Sequence, residues 1–166
     1  NVYFLLDSFK MILAAIPNAI LFIAGDGPEK DNMLMYAEEL EIDNNLIMAG
    51  YIPHQEVFQA YRAAELIVFP SKTETQGLSL VEGLAMGTPA VCINAMGVSS
   101  ILENNYGGIL SEDNIEDYAN NVIKLLNDKI LYEKKSLEAK KRALQFSSSE
   151  LVDKIIAIYE KSIDIK

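Results

Sequence analysis

In the segment 70–82, Pro-Ser-Lys-Thr-Glu-Thr-Gln-Gly-Leu-Ser-Leu-Val-Glu, two carboxylates, Glu74 and Glu82, bracket a glycine, Gly77. Glu74 falls in a loop after a short apolar run. Gly77 stands where a helix would open, which leaves the N–H groups of Leu78 and Ser79 without intrahelical acceptors. Such a helix start attracts phosphate, and a glycine there puts no side chain between phosphate and backbone. Glu82, in the second helical turn, projects back toward the same crevice. Carboxylates accept hydrogen bonds from hydroxyls, so two of them flanking a phosphate nest suit a ligand with hydroxyls on both sides of its phosphates. A nucleotide sugar has that layout: ribose, diphosphate, sugar. Solvated surface acids beside a plain turn glycine are the alternative, and spacing alone does not decide between the two.

Other chemistry is poorly supplied. His54 is the single histidine, with no G-x-S-x-G elbow to serve, and it reads as an exposed residue in the first turn of a helix. Cys92, also single, lies in an apolar run and reads as a buried, inert thiol. No His or Cys cluster has metal-ligand spacing, and no Asp-x-Asp is present to hold a divalent ion on a diphosphate. No metal site and no cofactor is therefore expected, and nothing in the sequence calls for Mg2+. Glu112, Asp113, Glu116 and Asp117 read as the solvated start of a helix, where they suit its dipole. With 24 acidic and 14 basic residues the net charge is -10, which opposes a broad grip on a nucleic acid backbone. A small phosphorylated ligand held by backbone N–H groups remains compatible with that charge.

The elements that must position these residues follow from periodicity. A chain of 166 residues, 50% hydrophobic, can bury enough surface to fold as one domain without disulfides or structural metal. No apolar run approaches the roughly 18 residues of a membrane span, and no leader pattern opens the sequence, so the cytoplasm is the expected compartment. Residues 2–15 read as a helix with Phe4, Leu5, Phe9, Ile12, Leu13 and Ile16 on one stripe, stopped by Pro17. Residues 19–24 read as a buried strand ending in the turn Gly25-Asp26-Gly27-Pro28. Helices over 30–40, 54–64 and 78–86 then alternate with strands over 45–49, 66–69 and 89–93 and a weaker one over 108–110. This alternation argues an α/β, doubly wound parallel sheet. Beyond Ser111 the pattern is helical. Ile115, Tyr118, Val122 and Leu126 share one face, a polar helix follows, and Val152, Ile155, Ile156, Tyr159 and Ile163 form a last stripe. These C-terminal helices are expected to pack back across the sheet. A doubly wound fold normally opens in a strand, whereas this sequence opens in a helix, so the first strand and what precedes it are expected to be missing. The order 3-2-1-4-5-6 would then leave a gap between the strands at 19–24 and 66–69.

The pair Glu74 and Glu82 with its internal Gly77, preceded by Phe69-Pro70-Ser71 and followed by Gly83-Leu-Ala-Met-Gly-Thr-Pro89-Ala-Val, resembles the donor-binding domain of the retaining glycosyltransferases of the B-type fold, the large family four. Gly25-Asp26-Gly27-Pro28-Glu29, Gly50-Tyr51-Ile52-Pro53, Ala63-Ala64-Glu65-Leu66 and Asn105-Tyr106-Gly107-Gly108 fall in that family's order at its usual spacings. The resemblance runs almost the length of the chain. It implies a Rossmann-like sheet with a helical C-terminal tail, residues 1–166 being the C-terminal nucleotide-sugar-binding domain of a two-domain glycosyltransferase.

The resemblance also implies roles. Glu74, the catalytic candidate, would accept hydrogen bonds from the donor sugar, while the amides after Gly77, at Leu78 and Ser79, would meet the distal phosphate. Glu82 would hold the ribose hydroxyls, Tyr51 and Ile52 would read the base through their backbone, and Gly25 and Gly27 would line the nucleotide crevice. The family's diphosphate-binding Arg and Lys follow the first strand and have no counterpart here; Lys72 is the nearest local cation. The implied reaction moves a hexose, glucose from UDP-glucose, to an acceptor hydroxyl with retention, the acceptor being bound mainly by an N-terminal domain without which this piece would turn over little. Thr75 and Gln76 stand where many members carry Pro-Phe, a variant resembling enzymes that glucosylate diacylglycerol in bacterial glycolipid synthesis, with peripheral membrane contact through the N-terminal half. A polysaccharide or capsule transferase and a non-catalytic nucleotide-sugar-binding module are the alternatives. A sugar-nucleotide epimerase of related fold fits less well, because dinucleotide folds carry their glycines at the first turn.

Overall fold

The computed structural model describes the backbone of residues 1–163 and their side chains except those of Asp153 and Ile163, so the expected apolar position Ile163 lies outside the described residues. Helices and strands alternate as α1 (Val2–Ala15), β1 (Leu21–Ala24), α2 (Lys30–Glu39), β2 (Leu46–Gly50), α3 (His54–Ala63), β3 (Ile67–Phe69), α4 (Leu78–Ala85), β4 (Ala90–Ile93), α5 (Val98–Ile101) and β5 (Gly108–Ser111). Three helices follow: α6 (Ile115–Asn127), α7 (Lys129–Leu144) and α8 (Ser148–Ile163). Two of these start at true caps. The Asn114 side chain accepts from the Asp117 amide at 3.0 Å, and the Asp128 side chain from the Leu131 amide at 2.9 Å, each satisfying a donor that the first helical turn leaves free.

All strand pairs are parallel, in two groups: β1 with β2, and β3 with β4 and β5. No ladder joins β1 to β3, at the place where the expected strand order puts its gap. β4 is the central strand, buried at all four residues. Its alternation divides the core into two layers. Val91 and Ile93 join Leu5, Leu6, Phe9 and Ile12 of α1 and Tyr118, Val122 and Leu125 of α6 on one side. Ala90 and Cys92 join Leu80 and Leu84 of α4 and Ala139 and Ala143 of α7 on the other. The first layer also takes in Leu21 of β1 and Met33 and Ala37 of α2, so α1 spans both strand groups. Tyr118 is fully buried there and donates its hydroxyl to the Val91 carbonyl at 3.0 Å. Burial also pushes the Cys92 thiol far above its ordinary pKa, which keeps it protonated and inert.

One expectation fails. α6 and α7 pack on the sheet, but α8 does not: its stripe stays in solvent, with Val152 50%, Ile155 52% and Tyr159 67% exposed. The physical reason is that α1 with α6 and α4 with α7 already cover the two faces of β4, so the central strand offers α8 no open face. No helix among the described residues is long and apolar enough to cross a membrane.

Because Leu6 is fully buried in the layer that touches both strand groups, Leu6→Ala should cost about 2–5 kcal/mol in urea unfolding followed by circular dichroism. Leu144→Ala, at a position 65% exposed, should stay within about 0.5 kcal/mol of the parent.

Candidate functional site

Parallel strands send all their C-terminal ends to one edge, which is where open α/β sheets bind ligands. Two groups of loops meet there. In the first, the Gly25 amide donates to the Gly50 carbonyl at 2.8 Å, which pins the turn after β1 to the loop after β2. Gly25 and Gly27 line a cavity of about 240 Å3 together with Asp26, Lys30 and Met48. Nothing lies within 4 Å of where a Cβ on Gly25 or Gly27 would stand, so this wall is open to an occupant. Tyr51 and Ile52 follow directly on Gly50, Tyr51 82% exposed and Ile52 half-buried.

The second group leaves β3. A cavity of about 440 Å3 is lined by Asn1, Val2, Phe69, Pro70, Ser71, Lys72 and Thr73, and Val2 lines both cavities. The start of α1 holds the two groups side by side: the Asn1 amide donates to the Pro70 carbonyl at 3.0 Å, and the Tyr3 hydroxyl to Glu29 at 2.7 Å. That bond raises the Tyr3 pKa and lowers that of Glu29.

Gly77 is the N-cap of α4 and adopts a left-handed φ of 58°, a conformation that a side chain would strain. It is also the point where Ile101 of α5 comes close, with the Ile101 Cδ1 atom 2.5 Å from where a Cβ would stand. Gly97, just before α5, is backed against the Glu74 carbonyl so closely that no Cβ fits between them. The first intrahelical bond of α4 runs from the Val81 amide to the Gly77 carbonyl at 3.0 Å, and no side chain caps the helix. The amides of Leu78 and Ser79, both exposed, therefore have no acceptor among the described residues, as an anion-binding helix start requires.

Glu74 is not simply open to a ligand. Its Oε1 accepts from the Thr75 amide at 2.9 Å and the Gln76 amide at 3.2 Å. Bonds from the amides of Gly77, Gln76 and Thr75 hold its carboxyl below the ordinary pKa, so it is an anion that shapes its own loop. Glu82 is half-buried and its side chain takes no hydrogen bond among the described residues. It sits four positions after Leu78, hence on the same helix face, beside Tyr61, whose pKa is raised by burial and by the Glu82 charge. Gly83 lets α4 lie against Ile67 of β3 and Tyr61 of α3, and Glu82 lines neither of the two cavities above.

Three further findings concern charge. Lys72 is not a loose cation: its ammonium lies 2.5 Å from Asp113 Oδ2, so neither residue is merely solvated. Asp117 likewise accepts from the Glu112 amide, the Ser111 hydroxyl and Asn121, which makes it an organiser of the β5–α6 turn. Lys30, which the sequence reading passed over, lines the cavity with Gly25 and Gly27 and lies 3.9 Å from Asp26; its place at the first residue of α2, straight after the glycine turn, was the available signal. His54 is exposed at the first residue of α3, edge-on to Phe58 at 5.0 Å.

Residues 1–142 match the family model described as glycosyl transferases group 1. The chain is 31% identical over 150 residues to D-inositol 3-phosphate glycosyltransferase 1 of Catenulispora acidiphila, covering 87% of this chain and 36% of that protein. It is 32% identical over 110 residues to alpha-monoglucosyldiacylglycerol synthase of Streptococcus pneumoniae, covering 66% of this chain and 25% of that one. Against the crystal structure of S. aureus TarM with UDP and alpha-GlcNAc-glycerol the TM-score is 0.86 at 23% identity, over 96% of this chain and 32% of the other. The chain thus spans about a third or less of these three proteins.

The lowered pKa of Glu74 fixes a sign. Its ionised form is favoured by the folded loop, so the stabilisation is fully present above the ordinary value of 4.5 and is lost as pH falls through the lower folded value. Comparing the Tm of the parent and of Glu74→Gln across pH should show a parent advantage that is level above 4.5 and shrinks below it. A Tm difference independent of pH would contradict the assigned bonds.

Proposed function

Given that the chain belongs to the group 1 glycosyl transferases, we propose that it is the donor-binding part of an enzyme moving glucose from UDP-glucose to an acceptor hydroxyl with retention. One observation carries this reading: the uncapped start of α4, where the free amides of Leu78 and Ser79 share a helix face with the unpartnered carboxylate of Glu82. Phosphate needs donors and ribose hydroxyls need an acceptor, and here both stand within one and a half helical turns. Glu74 presents a carboxylate on the adjoining loop for the hexose hydroxyls, and the turns at Gly25, Gly27, Tyr51 and Ile52 bound the space left for the base.

In the reaction the acceptor oxygen bonds to the anomeric carbon as the bond from that carbon to the phosphate oxygen breaks; the electron pair leaves with UDP, and the acceptor's proton passes to the departing phosphate oxygen. Charge grows on the diphosphate as it departs, and donors fixed in advance at that point lower the barrier. The α4 amides are such donors. Glu74 is held by three amides of its own loop, which keeps it ionised and suits it to orient the sugar; a proton-transfer role would want a carboxyl with a raised pKa.

For the acceptor, the Thr75-Gln76 variant and the similarity to a monoglucosyldiacylglycerol synthase both favour diacylglycerol, reached at the cytoplasmic membrane surface by a part of the protein other than this domain. An acidic domain of net charge -10 is repelled by anionic lipid and would face away from it.

Titration calorimetry tests the donor site. Glu82→Ala should weaken UDP by about 1.5–3 kcal/mol, the range for a hydrogen bond to a charged group; unchanged UDP affinity would remove Glu82 from the ribose. Glu74→Ala should weaken UDP-glucose more than UDP, since only the former presents the hexose. Incubation of the whole protein with UDP-glucose and either diacylglycerol micelles or polyprenyl-linked saccharides tests the acceptor. Transfer to the saccharide alone would replace the lipid by a polysaccharide intermediate, and donor binding without transfer to either would leave a binding module.

A further inference from the structure

The shape of the 74–77 loop depends on α5, a single turn of four residues that is too short to hold itself together. Its end is tied down from α7. Arg142, with a side chain only 13% exposed, donates from Nε to the Ile101 carbonyl at 2.6 Å and from Nη2 to the Ser100 carbonyl at 2.6 Å. Those are the carbonyls that a helix terminus leaves without partners, and a planar guanidinium serves both from donors held in one rigid fork, where an ammonium is a compact point charge on a flexible stem. The group is fixed in turn by Gln145, which accepts from Nη1 at 2.5 Å, and by the Phe146 ring 5.3 Å below it. From α5 two contacts run on to the site: Gly97 backs the Glu74 carbonyl, and Ile101 abuts Gly77.

We propose that Arg142 is a positioning residue for the donor phosphates, acting through α5 to press Gly97 and Ile101 against the 74–77 loop so that the Leu78 and Ser79 amides keep their outward aim. The proposal rests on the nucleotide-donor reading of the α4 start. Arg142 touches neither Glu74 nor Gly77 in this scheme. Its effect is transmitted because each link is a close contact against backbone or a glycine, where there is little room to yield.

The test uses the whole protein with UDP as probe, in the parent, Arg142→Gln, Arg142→Lys and Ser136→Ala. Ser136 lies on the same helix and donates to the Gly87 carbonyl at 2.7 Å, beyond the far end of α4, so its loss lowers Tm without touching α5. Calorimetry well below each Tm should show UDP binding weakened roughly three- to thirtyfold in Arg142→Gln, less in Arg142→Lys, and unchanged in Ser136→Ala. The amide resonances of Gly77, Leu78 and Ser79 in nuclear magnetic resonance spectra without ligand should shift in both Arg142 variants and stay in place in Ser136→Ala. Should Arg142→Gln not fold, Arg142→Lys carries the same comparison. UDP affinity equal in the parent and Arg142→Lys, or weakened as much in Ser136→Ala, would overturn the positioning role. A parent protein that binds no UDP would instead overturn the donor reading, and this role with it.

Discussion

The structure depends on a hydrophobic contact that takes the place of missing hydrogen bonds. The β1–β2 pair and the β3–β4–β5 group share no ladder, and what unites them is the apolar stripe of α1. Leu5, Leu6, Phe9 and Ile12 bury in one cluster with Leu21 from one group and Val91 and Ile93 from the other. At about 1.5–3 kcal/mol for each fully buried side chain, four of them outweigh the exposed polar contacts at the same helix, each worth a kilocalorie per mole or less. Those polar contacts still matter for placement. Asn1 reaches the loop after β3 and Tyr3 the turn after β1, so the helix that joins the sheets also sets the two halves of the candidate site against each other.

Within that frame the chemistry of the α4 start is a matter of how backbone donors are shared. Residues 75–78 form a run of amides in which the first three turn onto Glu74 and the next, on Leu78, has no acceptor among the described residues. In a chain of net charge -10, two carboxylates near one phosphate would be a liability if both were loose. Glu74 is not loose: the amides of its own loop hold its ionised carboxylate in place at short range. Lys72 contributes to the opposite wall by engaging Asp113, which ties the loop after β3 to the turn before α6.

Much of this was readable along the chain. The helices α1 to α4 and all five strands lie within two residues of where periodicity places them, because the alternation of buried and exposed positions, proline after α1 and glycine at the turns act within a window of a few residues. The pairing of Glu74, Gly77 and Glu82 on a loop and the following helix was readable for the same reason. α5 was not: four residues hold too little pattern. The packing of α7 was nearly silent too, since its buried face is built from Lys135, Ala139 and Ala143, a lysine and two small residues that make no apolar stripe. α8 misled in the opposite direction: its stripe promises a cover for the sheet, yet those side chains stay exposed and both faces of the central strand β4 are already covered.

The α/β order, the parallel sense of the strands, the resemblance to a glycosyltransferase donor domain and the place of Gly77 at a helix start can all be read from the sequence, since each is encoded by neighbours in the chain. Packing decided that Lys72 is paired with Asp113, that Ile101 of α5 abuts Gly77, that Gly97 backs Glu74, and that Arg142 stands behind α5. Those contacts join positions roughly 20 to 40 residues apart. Contacts of that kind are settled by which surfaces remain uncovered once the local elements have packed, and no local window contains that information.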